Sequence, residues 1–545
     1  MKSLKDYLND VSKFNFKIDN RYIIKVSNRS RYTKDIANNA LNDVIIPFPN
    51  FEPFNFINEN SWNTKNKKYG NSYQLYIHTL RFVNELLLMY EETREQKYMK
   101  KAKTYIMDWI DFVTNYKTTA LVWYDHSVAQ RVQVLLFYLL LNENDSFENE
   151  LIGDLLNYHA EFMLDIKNYK HNNHSLMMDR SLMLIGLLLK NDRYFDTGYY
   201  RSIDTFWRSF SKQGLHLENS PDYHNMVIKM YVEMETILNK FDKSYGDLVN
   251  KLLIKAQNLS AQIALHNHTF PTIGDTNNDV RIDKKSYENL VDYESGLSIL
   301  QNKDVYLGFI SGYSTVTHKH HDDLSVMVMF KGEMIFEDGG KYNYSSDNIR
   351  KYMLSVNAHS NIHVNNENYP LNNENILIGT VKIVNNFSNE VYSLVKGQNL
   401  SYENVELYRT VIFIESENTI IIIDDIYAQE KVKITHNFNL HQDISVEKYD
   451  TDSILSTANL SLQFKEFTTG EKLEIINNRN SSENIVNSTG LNKKSETNQL
   501  RLNEEVHGST QKLFVLSEHN KEIQASISNK ILDLQINQNY YTINF

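Results

Sequence analysis

His318, His320 and Asp322 stand at alternate positions in the segment His318-Lys319-His320-His321-Asp322-Asp323-Leu324-Ser325. In an extended segment the three side chains point to one side. Ligand-type groups so placed, directly before an apolar strand, form a polar cluster rather than plain surface. Asp338 follows in Glu337-Asp338-Gly339-Gly340, and His359 in Asn357-Ala358-His359-Ser360-Asn361. Two imidazoles and a carboxylate are a common zinc ligand set with an open fourth position. The chain has no cysteine, so a metal must be held by His, Asp, Glu or Asn. An ideal hairpin leaves Asp338 roughly 20 Å short of His320 at strand rise. The intervening loop must therefore curl if these residues are to meet.

Two kinds of element position these groups. From roughly Ser72 to His266 the apolar residues repeat at helical spacing. Tyr76, Leu80, Val83, Leu87 and Tyr90 mark one helix face, and Tyr105, Ile106, Trp109, Ile110 and Val113 the next. Further runs cover Val128–Leu141, Leu151–Ile166, Leu176–Leu189, Tyr199–Phe210, Met226–Leu238 and Leu248–Leu265. Short polar joints such as Glu143-Asn144-Asp145 and Asn191-Asp192 imply antiparallel neighbours. Such a series of hairpins is an α/α toroid or a solenoid, and period alone does not choose between them. After about residue 290 the period becomes two. Ser325–Phe330 and Met334–Phe336 read as a β-hairpin, and Val411–Ile414 with Thr419–Ile423 as another pair. Asn477–Asn492 reads as loop. Helices first and strands second predict an α+β multidomain chain, with domains at 1–290 and 291–545.

Composition narrows the class. The chain has 545 residues, 41% hydrophobic and 23% charged, as in an ordinary globular protein of two or more domains. A net charge of -11 argues against a general nucleic-acid partner, so an anionic ligand needs a local donor site. The first twenty residues lack the apolar core of a secretory signal, and no later stretch is long and apolar enough to span a bilayer. A cytoplasmic location is the expectation.

The segments around His318 and Asp338 resemble the start of the β domain in the heparinase II/III-like polysaccharide lyases. The helical half carries further likenesses. Asn172-Asn173-His174-Ser175-Leu176 resembles the family's Asn-His helix start. Glu218-Asn219-Ser220-Pro221-Asp222-Tyr223-His224 resembles its tyrosine loop. Trp123–Arg131 resembles a cleft-lining segment, and Pro271-Thr272-Ile273-Gly274-Asp275 the close of the toroid. The resemblance implies an N-terminal incomplete α/α toroid followed by a C-terminal antiparallel β-sandwich. It implies metal ligation, of zinc as in the family's zinc-containing members, by His320, Asp338 and His359, with no organic cofactor. It implies catalysis by Tyr223 and His318, with Asn173 and His174 neutralising a substrate carboxylate. His126, Arg131, Arg180 and Tyr344 become expected substrate contacts, with Arg350 a weaker one. His321, directly after His320, departs from the pattern, and Asp322 is left unassigned.

The implied reaction is β-elimination on a uronic-acid-containing glycan. The proton beside the carboxylate is removed, the 4-linked oxygen leaves, and the product carries a double bond. Donors that stabilise charge on the carboxylate, a base and an acid are all required. Tyr223 serves as both base and acid if its pKa falls, with the His318 imidazole as partner. A glycoside hydrolase on the same scaffold is an alternative, with Glu218, Asp222 and Asp125 as available carboxylates. Others are a metal-dependent hydrolase and a non-catalytic acidic-glycan-binding or capsule-assembly protein.

Overall fold

The computed structural model describes residues 4–8, 16–142, 146–277, 280–449, 452–481 and 484–545. The chain divides into two compact units, residues 1–208 with 232–249, and residues 209–231 with 250–545. No helix among the described residues is long and apolar enough to cross a membrane.

The first unit is helical. Its helices include Asn71–His78, Arg81–Thr93, Gln96–Asn115, Asp125–Leu141, Ser146–Leu164, Asn173–Leu189 and Asp192–Ser209. They bury their apolar faces in one core, to which Leu87, Tyr105, Trp109, Leu135, Leu156 and Ile185 contribute. Asp125–Leu141 is apolar almost all round and is accordingly buried along most of its length. One expected helix is in fact two. The spacing of Tyr76, Leu80 and Val83 ran on unbroken, yet Leu80 adopts a left-handed φ of 56° and separates Asn71–His78 from Arg81–Thr93. The joint expected at Glu143-Asn144-Asp145 lies outside the described residues.

The second unit stacks antiparallel sheets. Leu290–Asp292, Leu297–Gln301, Val305–Ile310, Ser325–Phe330 and Glu333–Phe336 form a five-stranded meander. One face packs on Leu259, Ile263 and Leu265 through Ile299, Tyr306 and Met327. The other shares a core with a ten-stranded sheet built around the long strands Thr419–Asn439 and Gln499–Glu518. The far face of that sheet is covered in turn by the three-stranded sheet Ile523–Ser528, Ile531–Ile536 and Asn539–Asn544. Sheets covered on both sides explain the unbroken apolar runs. Ile420, Ile421, Ile422 and Ile423 are all fully buried, each stabilising the fold by about 2 kcal/mol. Within Asn477–Asn492, read as loop, Val486–Gly490 pairs with Lys493–Glu496.

A buried polar anchor holds the loop that follows His318. Arg409 is fully buried and forms a two-pronged ion pair with Asp424, at 2.6 and 2.8 Å. Its remaining nitrogen donates to the carbonyls of Leu324 (2.8 Å) and Ser360 (2.7 Å). Leu324 has a left-handed φ of 62°, where the loop turns into Ser325–Phe330. Removing one partner from so dry a pair costs about 3–5 kcal/mol.

Candidate active site

The second unit gathers Tyr223, His318, Tyr344, Glu218, Asp275, Arg350 and the metal-type residues. Tyr223 sits in the first turn of helix Pro221–Asn239, where Pro221 occupies the first helical position it suits. The preceding Asn219 has a φ of 54° and donates its amide to Thr315 O (2.7 Å) and Thr317 O (2.9 Å). It thereby ties the tyrosine loop to the histidine loop. Gly274 makes a third strand of chain fit between them. A Cβ there would lie 2.4 Å from Asn219 O and 2.7 Å from His318 O, at a φ of 53°. Only glycine tolerates that conjunction, and it delivers Asp275 to the site.

The resulting geometry is tight. The Tyr223 ring stacks on His318, with centroids 3.7 Å apart and planes inclined by 23°. The Tyr223 and Tyr344 hydroxyls share a 2.8 Å hydrogen bond, and Tyr344 Oη lies 3.4 Å from His318 Nδ1. His318 Nδ1 donates to Asp275 Oδ2 at 2.9 Å, while Glu218 Oε2 stands 3.6 Å from His318 Nε2. Asp275 is the hub, since its other oxygen accepts from His320 Nε2 (3.1 Å) and Arg350 Nη2 (2.6 Å). Burial alone raises a carboxyl pKa, but bonds from His318 and His320 and the charges of His320 and Arg350 hold Asp275 well below the usual range. An ionised carboxylate on Nδ1 fixes the ring and leaves Nε2 its lone pair.

The His318 segment is not extended. His318 has a left-handed φ of 58°, so the chain curls and the alternate residues diverge. Asp322 turns inward to the buried Lys319 ammonium, which also lies 3.1 Å from Asp323. His321 Nδ1 bonds the Leu354 carbonyl at 2.8 Å, so neither neighbour joins the site. The same curl brings His320, Asp338 and His359 together, with ligand atoms all within 4.8 Å of one another and every residue buried. The donors fit a cation. His359 Nδ1 donates to Asp338 Oδ2 (2.7 Å) and His320 Nε2 to Asp275, while the opposite ring atoms, His359 Nε2 and His320 Nδ1, have no hydrogen-bond partner among the described residues. A ring nitrogen oriented from behind by a carboxylate and left bare in front is how metal-bound histidines are held.

Burial pushes the Tyr223 phenol up to about 12; the bond to Tyr344 pulls against it, and the charges of Asp275, Glu218 and Asp222 add to the rise. This corrects the expectation of a lowered pKa: acidic groups, not cations, surround the ring.

The helical unit holds a separate cluster. Asn172 caps helix Asn173–Leu189 by accepting from Ser175 N at 3.0 Å, which leaves Asn173 and His174 in the first turn. His174 Nδ1 lies 3.2 Å from Asp125 Oδ1, and its ring stacks on His126 at 5.2 Å. His126 begins another helix, Asp125–Leu141, so two helix N-termini adjoin here. Their partial positive charge favours an anion. Burial and the charge of His174 lower His126 to about 4, so it is neutral.

Two expected substrate contacts are not placed for that role. Arg131 is fully buried, donating to His159 Nε2 (2.9 Å), His78 O (2.7 Å) and Val122 O (3.0 Å) and lying over the Trp109 ring. Arg180 is buried among Met183, Leu184 and Met234 and pairs with Glu233 at 2.5 Å. Both resemble cleft arginines in sequence because neither helix shows a one-sided apolar stripe that would mark them as interior. The converse miss is Asp275, whose signal was the adjoining Gly274.

A fold of helical hairpins followed by layered antiparallel sheets, with a Tyr–His pair beside a buried His-Asp-His group, defines a class of glycan-cleaving lyase scaffold. The family profile described as Heparinase II/III N-terminus matches residues 1–299, and that described as Heparinase II/III-like, C-terminal, matches residues 293–528. The chain belongs to the heparinase II/III-like family of polysaccharide lyases. Its architecture is that family's α/α toroid followed by a β-sandwich. Among solved structures, a heparinase III is similar at 14% identity, with 99% of this chain and 94% of that one covered and a TM-score of 0.79. A heparan sulfate lyase from Pedobacter heparinus is similar at 15% identity, with 99% and 93% covered and a TM-score of 0.70. A chondroitin AC lyase from Streptomyces coelicolor A3 is similar at 9% identity, with 98% and 86% covered and a TM-score of 0.59. A sequence comparison with curated proteins found no match.

Proposed function

We propose that this lyase cleaves a uronic-acid-containing glycan by β-elimination, with His318 as base and Tyr223 as acid. The observation that carries the reading is the Tyr223–His318 stack, with His318 Nδ1 held by Asp275. Nε2 of His318 takes the proton from the carbon beside the carboxylate. The electron pair forms the ring double bond, the bond to the 4-linked oxygen breaks, and the Tyr223 hydroxyl protonates that oxygen. A phenol raised to about 12 is fully protonated at neutral pH, which suits the acid and not the base. Glu218, near Nε2, stabilises the imidazolium once it forms. Tyr344, within reach of both Tyr223 Oη and His318 Nδ1, offers the route by which a proton returns to the phenolate.

Asn173 and His174 neutralise the substrate carboxylate in this proposal, supported by the two helix N-termini beside them. Their donors stabilise the charge that grows on the carboxylate as the proton leaves. His320, Asp338 and His359 would hold a divalent cation such as zinc. Bound there, it would supply positive charge that pins three loop segments. The names of the similar structures make heparan sulfate and chondroitin sulfate the first substrates to try, with alginate beside them.

The test is ultraviolet detection of unsaturated product from those glycans. Tyr223→Phe and His318→Ala should each nearly eliminate it while leaving circular dichroism unchanged. Full activity in both variants would sink the assignment.

A further inference from the structure

A cavity of about 710 Å³ lies away from the Tyr223–His318 pair. It opens on the face of the ten-stranded sheet that turns away from the five-stranded sheet. Side chains alternate along each strand. Leu407 and Ile426 point into the shared core, so Tyr408, Asp425 and Tyr427 face the other way. Nearer the middle of the sheet, that outer face carries Leu394, Ile412, Ile423 and Leu513, which the three-stranded sheet covers. The cover ends at its hairpin turn, Asn529-Lys530. Beyond it the same face turns polar and aromatic. One cross-strand row reads Tyr408, Asp425, Gln511, and the next Glu406, Tyr427, Ser509.

We propose that this cleft is a second, non-catalytic site that holds a stretch of acidic saccharide. The inference rests on the uronate-glycan reading for the choice of ligand. Tyr427 is 44% exposed, and its ring supplies an apolar plate for the face of a sugar. Gln511 is anchored by a 2.5 Å bond from its amide nitrogen to Asp425, which leaves its carbonyl oxygen to accept from a sugar hydroxyl. Lys396, 3.4 Å from Asp425, lines one side, and Lys530 stands at the rim. Among the described residues no ion pair involves Lys530, so its ammonium is open to a carboxylate or sulfate. Its backbone adds a second, independent signal. Asn529 and Lys530 have φ of 51° and 61°, the two-residue hairpin turn that favours glycine at the second position. A lysine there costs backbone strain, and it sets a cation over the cleft. The volume lies within the range of pockets that enclose small ligands. A polymer held here and cut elsewhere gains affinity through its length, while a short fragment gains nothing.

The test uses full-length protein carrying Tyr223→Phe, so that binding is read without turnover. Tyr427→Ala and Lys530→Asn are added singly; asparagine keeps the left-handed turn and removes the charge. Affinity electrophoresis through heparan sulfate, chondroitin sulfate or alginate should show retardation by at least one polymer. Tyr427→Ala should weaken it about tenfold, and Lys530→Asn about threefold with a reduced salt dependence. Tyr427→Phe should restore it, and neutral dextran should give none. With Tyr223 intact, Tyr427→Ala and Lys530→Asn should raise KM for polymer about tenfold and about threefold and leave short oligosaccharides unaffected. Unaltered retardation in both variants, no retardation by any of the three polymers, or equal retardation by dextran overturns the site. Absence of turnover with retardation that depends on Tyr427 would instead overturn the lyase chemistry and leave the cleft standing.

Discussion

Asp275→Asn is the sharpest single test of how the candidate site is organised. The side chain is 3% exposed, so it does not meet substrate. It accepts from His318, His320 and Arg350 at 2.9, 3.1 and 2.6 Å. A carboxamide offers one acceptor oxygen in place of two and brings an NH2 that faces donors. At least one of the three partners must lose its bond. A charge-assisted hydrogen bond contributes about 2 kcal/mol. If that orientation is what readies His318 Nε2, its loss lowers kcat about 30-fold. Arg350, 8% exposed at its side chain, is left as a buried cation beside a neutral group, which lowers stability by about 3 kcal/mol.

The two effects are separated by measuring kcat and KM well below the melting temperature of the variant. Asp275 acts through His318, so it is a positioning residue, and kcat should fall while KM stays within about twofold. Metal content is measured alongside, since His320 loses its partner too. A variant that melts lower yet turns over at the wild-type rate would show Asp275 to be a structural anchor only, and would refute the orientation argument.

Other perturbations have definite expected outcomes. His320→Ala and His359→Ala should each remove roughly one bound metal per chain and lower the melting temperature, as a chelator should in the unaltered protein; metal analysis that finds none before substitution would refute the site. Arg131→Met should lower the denaturant midpoint by an amount equivalent to about 3 kcal/mol, because the buried donors to His159, His78 and Val122 are lost. Its KM should be unchanged, and a rise in KM at unchanged stability would restore Arg131 as a substrate contact. Burial lowers His78 and His363 to about 3 and His224 to about 4. Each stays neutral when folded, whereas unfolding frees it to bind a proton below about 6.5. The contribution of these three histidines is therefore level above that pH and falls as pH drops toward 3–4, each costing about 2 kcal/mol at pH 5. Replacing His363 by Asn should flatten that slope, and an unchanged slope in urea titrations would contradict it.

The sequence was most legible where one physical constraint dominates a stretch of chain. Apolar spacing located most helices of the first unit, because a helix must bury a face, and the run Thr419–Ile423 announced a strand, which the structure shows covered on both sides. It misled where a single backbone angle decides the outcome. Leu80 continues the apolar stripe yet breaks the helix, and His318 leaves the extended path, each through a left-handed φ that no side-chain pattern encodes. It misled again where burial decides a role. Arg131 and His318 are both polar residues beside aromatics, but one is sealed beneath Trp109 and the other stacks on Tyr223 with a carboxylate behind it.

Asp275 shows why such cases fail together. Its importance arises because Gly274 lets three distant segments, 218–223, 274–275 and 318–320, pass within van der Waals contact. A side chain at 274 would drive Asn219 and His318 apart before any chemistry is affected. Gly274→Ala should therefore reproduce the loss of kcat expected for Asp275→Asn, although Asp275 itself is unaltered. The fold brings Tyr223, His318 and the metal-type group together through one close approach, and the residue that permits it has no side chain to advertise the fact.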